Sequence, residues 1–300
     1  MTGLLNWYNE QMVQEISIII PAFNEEENIK KVITDLLEET KKLDLKIEIL
    51  VIDDASTDGT AMEVVELSKT NHEIKLLTHQ KNKGYGGSLK TGISKATFET
   101  ILIVDADCSY PLESLSLILE PMTTADMVIG ARTGADVQIP FFRRPAKSFL
   151  RHLASFITET KIPDINSGFR AFRKSGVLKY WNLLPNKFSF TTTITMAMLS
   201  DGLEVEFVPI NYKKRIGKSK ITPFDFWNFL ILTLRMAFYF NPLKIILPVS
   251  LSLLSLGGVI LLYDVLILDN LADTPVFLIQ TGVLLGAFGF LADLIVKRRY

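Results

Sequence analysis

Cysteine and net charge are both scarce in this chain of 300 residues. Its single cysteine, Cys108, excludes an internal disulfide and agrees with a reducing compartment. Lys and Arg number 32 and Asp and Glu 33, so the net charge of −1 carries no basic surplus that would indicate a nucleic-acid partner. The first fifteen residues lack the apolar core of a signal peptide, and we expect the N-terminal part to stay in the cytoplasm.

Charge is also missing from two long stretches near the C-terminus, residues 245–263 and 276–292. The mean hydropathy of the chain is positive, which is high for a soluble protein, and these stretches account for the excess. A helix needs about 20 apolar residues to cross a bilayer at roughly 1.5 Å per residue. We therefore predict two transmembrane helices in a domain of residues 242–300. A pair of buried helices in a soluble core is the less favoured alternative.

The flanks of these two helices predict their orientation. Lys244 precedes the first helix and the basic residues 297–299 follow the second, whereas the connecting stretch has aspartates and no basic residue. The positive-inside rule then places both termini in the cytoplasm and the loop outside. Asp293 lies near the cytoplasmic end, where we expect it to reach the interface or to pair with a neighbouring cation.

Residues 222–241 precede the first span and are rich in Phe and Trp. Asp225 and Arg235 leave too short an uncharged core for a third span, so we predict a helix that lies at the membrane interface. Small residues within the spans permit close helix packing and would also suit a homo-oligomer, although ordinary membrane helices contain such residues too. These residues are Gly257, Gly258, Gly282 and Gly286.

Residues 1–221 show a different pattern, in which short apolar runs alternate with helix-like stretches. The runs are ISIII at 16–20, IEILVI at 47–52, IKLL at 74–77, ILIV at 101–104 and MVIG at 127–130, with an alternating strand near 203–210. This alternation predicts an α/β domain with a largely parallel sheet that helices cover on both faces. Ligands of such sheets bind beyond the carboxyl ends of the strands, so the site is expected just after these runs.

Unusual residues follow the first three runs. The acids of PAFNEEEN, after the first run, suit the N-terminus of the next helix. In VIDDASTDGT, Asp58 suits a helix cap, but the adjacent Asp53 and Asp54 exceed what a cap needs. The third run leads to NKGYGGSLKTG, whose glycines permit close approach of the backbone to a ligand, although their order is not that of a phosphate-binding P-loop.

The fourth run ends in two carboxylates, Asp105 and Asp107. A nucleoside diphosphate carries closely spaced negative charges, which a carboxylate approaches only through a bridging cation. Two acids at a strand end can hold Mg²⁺ or Mn²⁺, and the ion binds the diphosphate oxygens. A solvated pair of aspartates in a turn is the alternative, and the position beside other acidic strand ends favours the metal site.

Together these stretches resemble family 2 glycosyltransferases with the GT-A fold, over residues 15–221. The match comprises PAFNEEENI, VIDDASTDGT, NKGYGGSLKTGI and DAD in the family's order. INSGFR at 165–170, RIGKSK at 215–220 and the paired C-terminal spans are most similar to dolichyl-phosphate mannose synthases and polyprenyl-phosphate glucosyltransferases.

The resemblance implies roles for individual residues. The nucleotide sugar would be bound by Pro21, Ala22, Phe23, Glu25, Val51, Asp53, Asp105, Ala106, Asp107, Arg215, Lys218 and Lys220. The acceptor phosphate would be bound by Arg132, Arg144 and Ser148, the metal by Asp105 and Asp107, and the catalytic residues would be Asp105, Asp107, Asp164 and Arg215. Asp164 would orient the acceptor or stabilise positive charge on the sugar; a turn acid after Pro163 is an equal alternative. Ser109 stands where many mannose synthases have glutamine, which weakens an assignment to mannose.

The implied activity is inverting transfer of a hexose from a nucleoside-diphosphate sugar, of the GDP-mannose or UDP-glucose type, to a polyprenyl or dolichyl phosphate. The transfer would depend on Mg²⁺ or Mn²⁺ and take place at the cytoplasmic membrane face. A processive polysaccharide synthase usually has a Q-x-x-R-W motif and more spans, and we find neither. An inactive, membrane-bound nucleotide-binding partner is a further alternative, which the retained acid pair and basic acceptor segment disfavour.

Overall fold

The computed structural model describes residues 13–133, 144–187, 189–212, 225–268 and 272–298, and within these only the backbone of 144–150 and 225–229. The chain divides into two compact units, Met1–Phe229 and Leu230–Tyr300. The division falls inside a helix, Asp225–Phe240, so the domain limits at 221 and 241 stay predictions.

Seven strands form the sheet of the first unit. They are β1 (Glu15–Ala22), β2 (Lys46–Asp53), β3 (Ile74–Thr78), β4 (Thr100–Ile103), β5 (Met127–Arg132), β6 (Arg170–Arg173) and β7 (Val205–Ile210). The helices of this unit are α1 (Ile29–Lys42), α2 (Thr60–Ser68), α3 (Tyr85–Lys95), α4 (Leu115–Leu119), α5 (Arg144–Thr158), α6 (Lys174–Leu178) and α7 (Phe190–Ser200). The predicted apolar runs overlap β1 to β5, and the alternating segment contains β7.

The strands lie in the order β3-β2-β1-β4-β6-β5-β7. Neighbouring strands are parallel except where β6 pairs with β4 and β5. The predicted largely parallel α/β sheet is therefore confirmed, and the carboxyl ends of the other six strands meet at one edge.

Helix α1 shows how the sequence drives packing against this sheet. Its buried side chains recur at the spacing of one helix face, and they join the alternate side chains of β1 in one hydrophobic core. The core side chains of α1 are Ile29, Val32, Ile33 and Leu36, and those of β1 include Ile16, Ile18 and Ile20.

Strand β6 was not predicted, because its sequence RAFR contains no apolar run. The strand lies between β4 and β5 and is antiparallel to both. Since it runs in the opposite direction, its first residue, Arg170, lies at the edge where the other strands end, in register with Ile103 of β4. This insertion brings the segment at 166–170 to the same edge as the acid pair.

The second unit contains two helices that are long and apolar enough to cross a membrane, Pro242–Leu268 and Asp273–Lys297. Helix α8 (Asp225–Phe240) precedes them, α9 is Pro242–Tyr263 with a π-helical turn at Asp264–Leu268, and α10 is Asp273–Lys297. The predicted spans thus coincide with helices, and most of their side chains are exposed.

Small residues bring α9 and α10 into close contact, as the sequence predicts, except at Gly258, where an added Cβ would meet nothing within 4 Å. A Cβ added at Gly257 would lie 2.8 Å from Ile279 Cγ1, and one at Gly286 would lie 2.9 Å from Ser250 Oγ. Ser250 Oγ also donates a hydrogen bond to the carbonyl of Gly282, at 2.7 Å. The other three glycines therefore serve packing within one chain.

Asp293 near the end of α10 has the partner that the sequence suggested. Its carboxylate lies 2.8 Å from Lys297 Nζ, one helical turn away.

Candidate active site

Reciprocal hydrogen bonds clasp the two loops that follow β1 and β2. The backbone N–H of Asn24 donates to Ser56 Oγ at 3.0 Å, and Thr57 N–H donates to Asn24 Oδ1 at 2.8 Å. Glu25 N–H donates to Thr60 Oγ1 at 2.9 Å. Motifs more than thirty residues apart in sequence therefore form one rigid platform at the carboxyl edge of the sheet.

The acids of these loops have different partners. Those after β1 directly precede Asn28, the N-cap residue of α1, and no side-chain hydrogen bond from that residue caps the helix, so their expected effect at the helix N-terminus stays a prediction. Glu26 Oε2 accepts the N–H of Gly59 at 2.9 Å, across the clasp. Asp58 does cap α2, because its Oδ1 accepts the N–H of Thr60 at 3.0 Å. Burial would raise the pKa of Asp58, but the bonds from Thr60 and Glu26 outweigh it and lower that pKa.

The adjacent acids at the tip of β2 have separate surroundings. Asp53 ends the strand beside Ala22 of β1, is almost fully buried, and accepts the N–H of Ser56 at 3.1 Å. Asp54 accepts the N–H groups of Lys83 and Gly84, both at 2.8 Å. Asp54 therefore orders the loop that leads into α3, which leaves Asp53 as the member of the pair predicted to contact a nucleotide.

The glycine-rich loop packs against protein, which corrects the expectation that its glycines admit a ligand. Gly84 has φ +84°, and a Cβ there would lie 2.8 Å from the carbonyl oxygen of Asn186. A Cβ at Gly86 would collide with the carbonyl of Pro185, and Gly87 N–H donates to the carbonyl of Asn186 at 2.9 Å. The loop needs glycine because another backbone segment approaches it closely.

The carboxylate pair follows β4, and each member accepts a hydrogen bond from a neighbouring hydroxyl. Asp107 is 3% exposed, and its Oδ1 accepts Ser109 Oγ at 2.5 Å. Cys108, between Asp107 and Ser109, has φ +55°, which turns the chain so that Ser109 reaches the Asp107 carboxylate. Ser109 thus supports Asp107 at the position where many mannose synthases have glutamine. Asp105 Oδ1 accepts the hydroxyl of Tyr85 at 2.9 Å.

The donor set of this pair fits a divalent cation. Among the described residues no group of three or more His, Cys, Asp or Glu could hold a metal ion. Mg²⁺ sites commonly use one or two carboxylates and complete the shell with substrate phosphates and water. Asp105 and Asp107 match that arrangement, since a carboxylate that accepts one hydrogen bond can also coordinate a cation.

Arg132 at the end of β5 forms a bidentate ion pair with Asp164. Arg132 Nε and Nη2 lie 2.6 and 3.0 Å from the two oxygens of Asp164, which is 3% exposed. The guanidinium also lies over the ring of Tyr212, 5.2 Å from its centroid. Burial opposes the charge of Arg132, but Tyr110 and Asp164 outweigh it and raise its pKa above the ordinary value. Asp164 additionally accepts the N–H of Asn166 at 3.1 Å, as a turn acid would.

Arg170 is fully buried beneath the site and bonds to neutral acceptors. Its Nε donates to the carbonyl of Ser167 at 3.0 Å, and its Nη1 donates to the carbonyl of Thr191 and to Thr195 Oγ1. Burial lowers the pKa of Arg170 to about 10. The side chain therefore ties the turn before β6 to helix α7.

That turn brings Gly168 against the acid pair. A Cβ at Gly168 would lie 2.8 and 2.9 Å from the two oxygens of Asp105 and 2.9 Å from the hydroxyl of Tyr85. Gly168 N–H donates to the hydroxyl of Tyr110 at 2.7 Å. The sequence pattern predicted no role for Tyr85 or Gly168, although both lie in motifs that carry the family resemblance.

The structure describes some of the other predicted site residues fully and leaves the side chains of the rest undescribed. Pro21 and Ala22 end β1, Phe23 follows them, and both Val51 and Ala106 are buried in the core. Arg144 and Ser148 belong to α5, but their side chains lie outside the described part of the chain, as do Arg215, Lys218 and Lys220 entirely. The binding roles assigned to all these residues stay predictions.

A mostly parallel sheet with a carboxylate pair at its carboxyl edge, suited to a metal-bound diphosphate, defines the class of GT-A glycosyltransferases. Residues 17–181 match the family model described as glycosyl transferase family 2. The match covers more than half of the chain, and the protein belongs to that family.

Two named relatives have similar sequences. A polyprenol monophosphomannose synthase of Mycolicibacterium smegmatis is 29% identical over 220 residues, which is 70% of this chain and 82% of the relative. An undecaprenyl-phosphate 4-deoxy-4-formamido-L-arabinose transferase of Proteus mirabilis is 24% identical over 166 residues, 55% of this chain. The match spans half the length of that second relative.

Solved structures with the same fold have bound metal and nucleotide. The glucosyl-3-phosphoglycerate synthase of Mycobacterium tuberculosis with Mn²⁺, UDP and phosphoglyceric acid has a TM-score of 0.61 at 16% identity. That alignment covers 79% of this chain and 82% of the other. The same enzyme with Mg²⁺ and UDP has a TM-score of 0.58 at 17% identity, covering 79% and 83%.

Proposed function

We propose that this protein transfers a hexose from a nucleoside-diphosphate sugar to a polyprenyl or dolichyl phosphate, with inversion at the anomeric carbon. The observation that carries this proposal is a series of neighbouring residues between the carboxylate pair and the Arg132–Asp164 ion pair. Asp105 lies where a Cβ of Gly168 would be, Gly168 N–H bonds to Tyr110, and Tyr110 packs against Tyr212, over which Arg132 lies. A donor diphosphate at one end and an acceptor phosphate at the other would be neighbours, as direct transfer requires.

The named relatives support a lipid-phosphate acceptor. One is a polyprenol monophosphomannose synthase and the other acts on undecaprenyl phosphate, according to their names. The donor is of the GDP-mannose or UDP-glucose type, by the resemblance of the motifs.

The carboxylate pair would hold Mg²⁺ or Mn²⁺, which neutralises charge on the leaving diphosphate when bound. The clasped loops after β1 and β2 form the platform on which Asp53 and its neighbours receive the base and ribose. Arg215, Lys218 and Lys220 would add positive charge for the diphosphate. These residues supply orientation and electrostatic stabilisation.

The acceptor phosphate is ionised at neutral pH, so its oxygen attacks the anomeric carbon without a strong base. The new bond joins this oxygen to the sugar as the bond to the diphosphate breaks, and a single in-line displacement inverts the configuration. Arg132, together with Arg144 and Ser148, would hold the acceptor phosphate. Asp164 fixes the guanidinium of Arg132 by its bidentate contact, which is a positioning role.

We further propose that the reaction takes place at the cytoplasmic face of a membrane. Residues 1–221 form the catalytic domain, residues 222–241 lie at the interface, and the two apolar helices of residues 242–300 span the bilayer. Basic residues at the outer flanks of these helices support this orientation.

The test uses the full chain, purified in detergent, with radiolabelled UDP-glucose and GDP-mannose, Mn²⁺ and a short polyprenyl phosphate. We expect label in the lipid phase with one donor, loss of transfer on chelation, and no transfer by Asp107→Ala. Asp35→Ala, which removes a surface acid paired with Lys31 on α1, is the matched control and should retain activity. Equal transfer by Asp107→Ala and the wild type would refute the assigned chemistry.

A further inference from the structure

Tyr85 and Asp105 form a contact that the mechanism above does not use. Tyr85 is the first residue of α3, and its hydroxyl donates to Asp105 Oδ1 at 2.9 Å. On another side the Asp105 carboxylate faces Gly168, where a Cβ would come within 2.9 Å of either oxygen. The carboxylate therefore has a directed donor on one side and, on another, a glycine whose lack of a Cβ leaves it room.

The position of Tyr85 is itself fixed by the tip of β2. Asp54 accepts the N–H groups of Lys83 and Gly84, the two residues before Tyr85. Gly84 adopts φ +84°, which turns the chain into α3. Gly87 N–H is bonded to Asn186, so the first turn of the helix is anchored on both sides. The hydroxyl thus reaches Asp105 from a rigid support.

The Tyr85 hydroxyl also stays a hydrogen-bond donor at neutral pH. A tyrosine hydroxyl, whose ordinary pKa is about 10, keeps its proton at neutral pH. An ionised tyrosine would repel the carboxylate, whereas the neutral hydroxyl directs it.

We propose that Tyr85 is a positioning residue that sets the orientation of the Asp105 carboxylate for the divalent cation. The inference rests on the proposed function, because it assigns Asp105 to the cation that function requires. A carboxylate rotates easily about its last bond, and one strong donor at Oδ1 selects a single orientation. Removing the donor should weaken cation binding and leave metal-free nucleotide binding unchanged.

The chain offers a matched control for this hydroxyl. Tyr180 is buried, and its hydroxyl donates to Asp201 Oδ2 at 2.5 Å, in a contact that involves none of the predicted site residues. Tyr85→Phe and Tyr180→Phe therefore each remove one tyrosine hydroxyl from one carboxylate.

The experiment titrates the full-length protein with Mn²⁺ in the presence of UDP or GDP and follows the electron paramagnetic resonance signal of the unbound ion. We expect Tyr85→Phe to bind Mn²⁺ roughly tenfold more weakly, a change of about 1.4 kcal/mol. Tyr180→Phe should match the wild type in Mn²⁺ affinity. In transfer assays, Tyr85→Phe should need more Mn²⁺ for half-maximal rate and recover most of its rate when Mn²⁺ saturates.

Thermal unfolding of both variants separates a local effect from a loss of fold. If Tyr85→Phe melts like the wild type and binds Mn²⁺ equally tightly, the role of Tyr85 is refuted while the proposed function stands. If the wild type neither binds Mn²⁺ nor transfers sugar, both are refuted. If Tyr85→Phe is unfolded, Tyr85→Trp, which retains a ring N–H donor, is titrated in its place. Because that ring N–H lies nearer the backbone than a tyrosine hydroxyl does, weaker Mn²⁺ binding by this folded variant would agree with positioning by the hydroxyl. Unaltered affinity, or equal weakening by Tyr180→Phe, would contradict it.

Discussion

Replacing Asp164 with asparagine tests the ion pair that joins β5 to the turn before β6. Asparagine keeps the shape of the side chain but has one acceptor oxygen and no charge. It therefore cannot accept both Arg132 Nε and Nη2, which lie 2.6 and 3.0 Å from the two oxygens of Asp164. The guanidinium would then keep its charge in a site where its side chain is only 16% exposed.

The expected loss of stability is large for a single substitution. Breaking a buried ion pair by removing one partner typically costs about 3–5 kcal/mol, and we take about 3 kcal/mol because asparagine retains one acceptor. For a domain of this size that corresponds to a fall in melting temperature of roughly 6–12 °C. The matched control, Asp201→Asn, replaces the charged acceptor of a neutral tyrosine hydroxyl with a neutral one and should cost about 1 kcal/mol.

The assay is thermal unfolding of the purified full chain in detergent, monitored by circular dichroism for all three proteins. A melting temperature for Asp164→Asn equal to that of the wild type would refute the reasoning. It would mean that the Arg132–Asp164 pair contributes nothing to the folded state, and Arg132 would then be unrestrained for another partner.

Three further predictions follow from other parts of the chain. Burial would raise the pKa of Glu48, but hydrogen bonds from Thr97, Ser17 and Lys75 outweigh it and hold that pKa below its ordinary value of 4.5. Glu48 therefore stabilises the fold above pH 4.5, and this contribution is lost as pH falls through the lowered pKa. Below pH 4.5 the melting temperature of Glu48→Gln should therefore fall less than that of the wild type. Equal falls in the two proteins would contradict this. Gly168→Ala should lower Mn²⁺ affinity by about tenfold or more, because its Cβ would lie 2.8 Å from Asp105 Oδ2. Wild-type affinity in a folded variant would show that the added Cβ does not displace the Asp105 carboxylate. In a Cys108→Ser background, a thiol reagent should label Asn270→Cys from outside intact cells and Lys69→Cys only after permeabilisation. The reverse pattern would contradict the cytoplasmic orientation of the first unit.

The sequence predicted those parts of the fold that depend on local pattern. Apolar runs and the acids that follow them located β1 to β5, and long uncharged segments located α9 and α10. Strand β6 was missed because its four residues, RAFR, acquire strand geometry only from β4 and β5 on either side. No periodicity within four residues encodes such a pairing.

The candidate site was predictable in its residue types but not in its partnerships. DAD at a strand end predicted a metal site, which stays a prediction, and the resemblance added Arg132 and Asp164 as separate contributors. Their ion pair depends on two segments 32 residues apart that meet only in the folded sheet. The contact of Glu26 was not predictable for the same reason, since Glu26 bonds to a loop that follows another strand.

Mass spectrometry of the lipid product of the wild-type protein tests the central claim most directly. Polyprenyl phosphate and phosphoglyceric acid are offered together with each nucleotide sugar and Mn²⁺. We predict a product in which a single hexose is attached to the polyprenyl phosphate, with one phosphate retained and phosphoglyceric acid unchanged. Hexose on phosphoglyceric acid, or on a growing polysaccharide, with the lipid unmodified would contradict it.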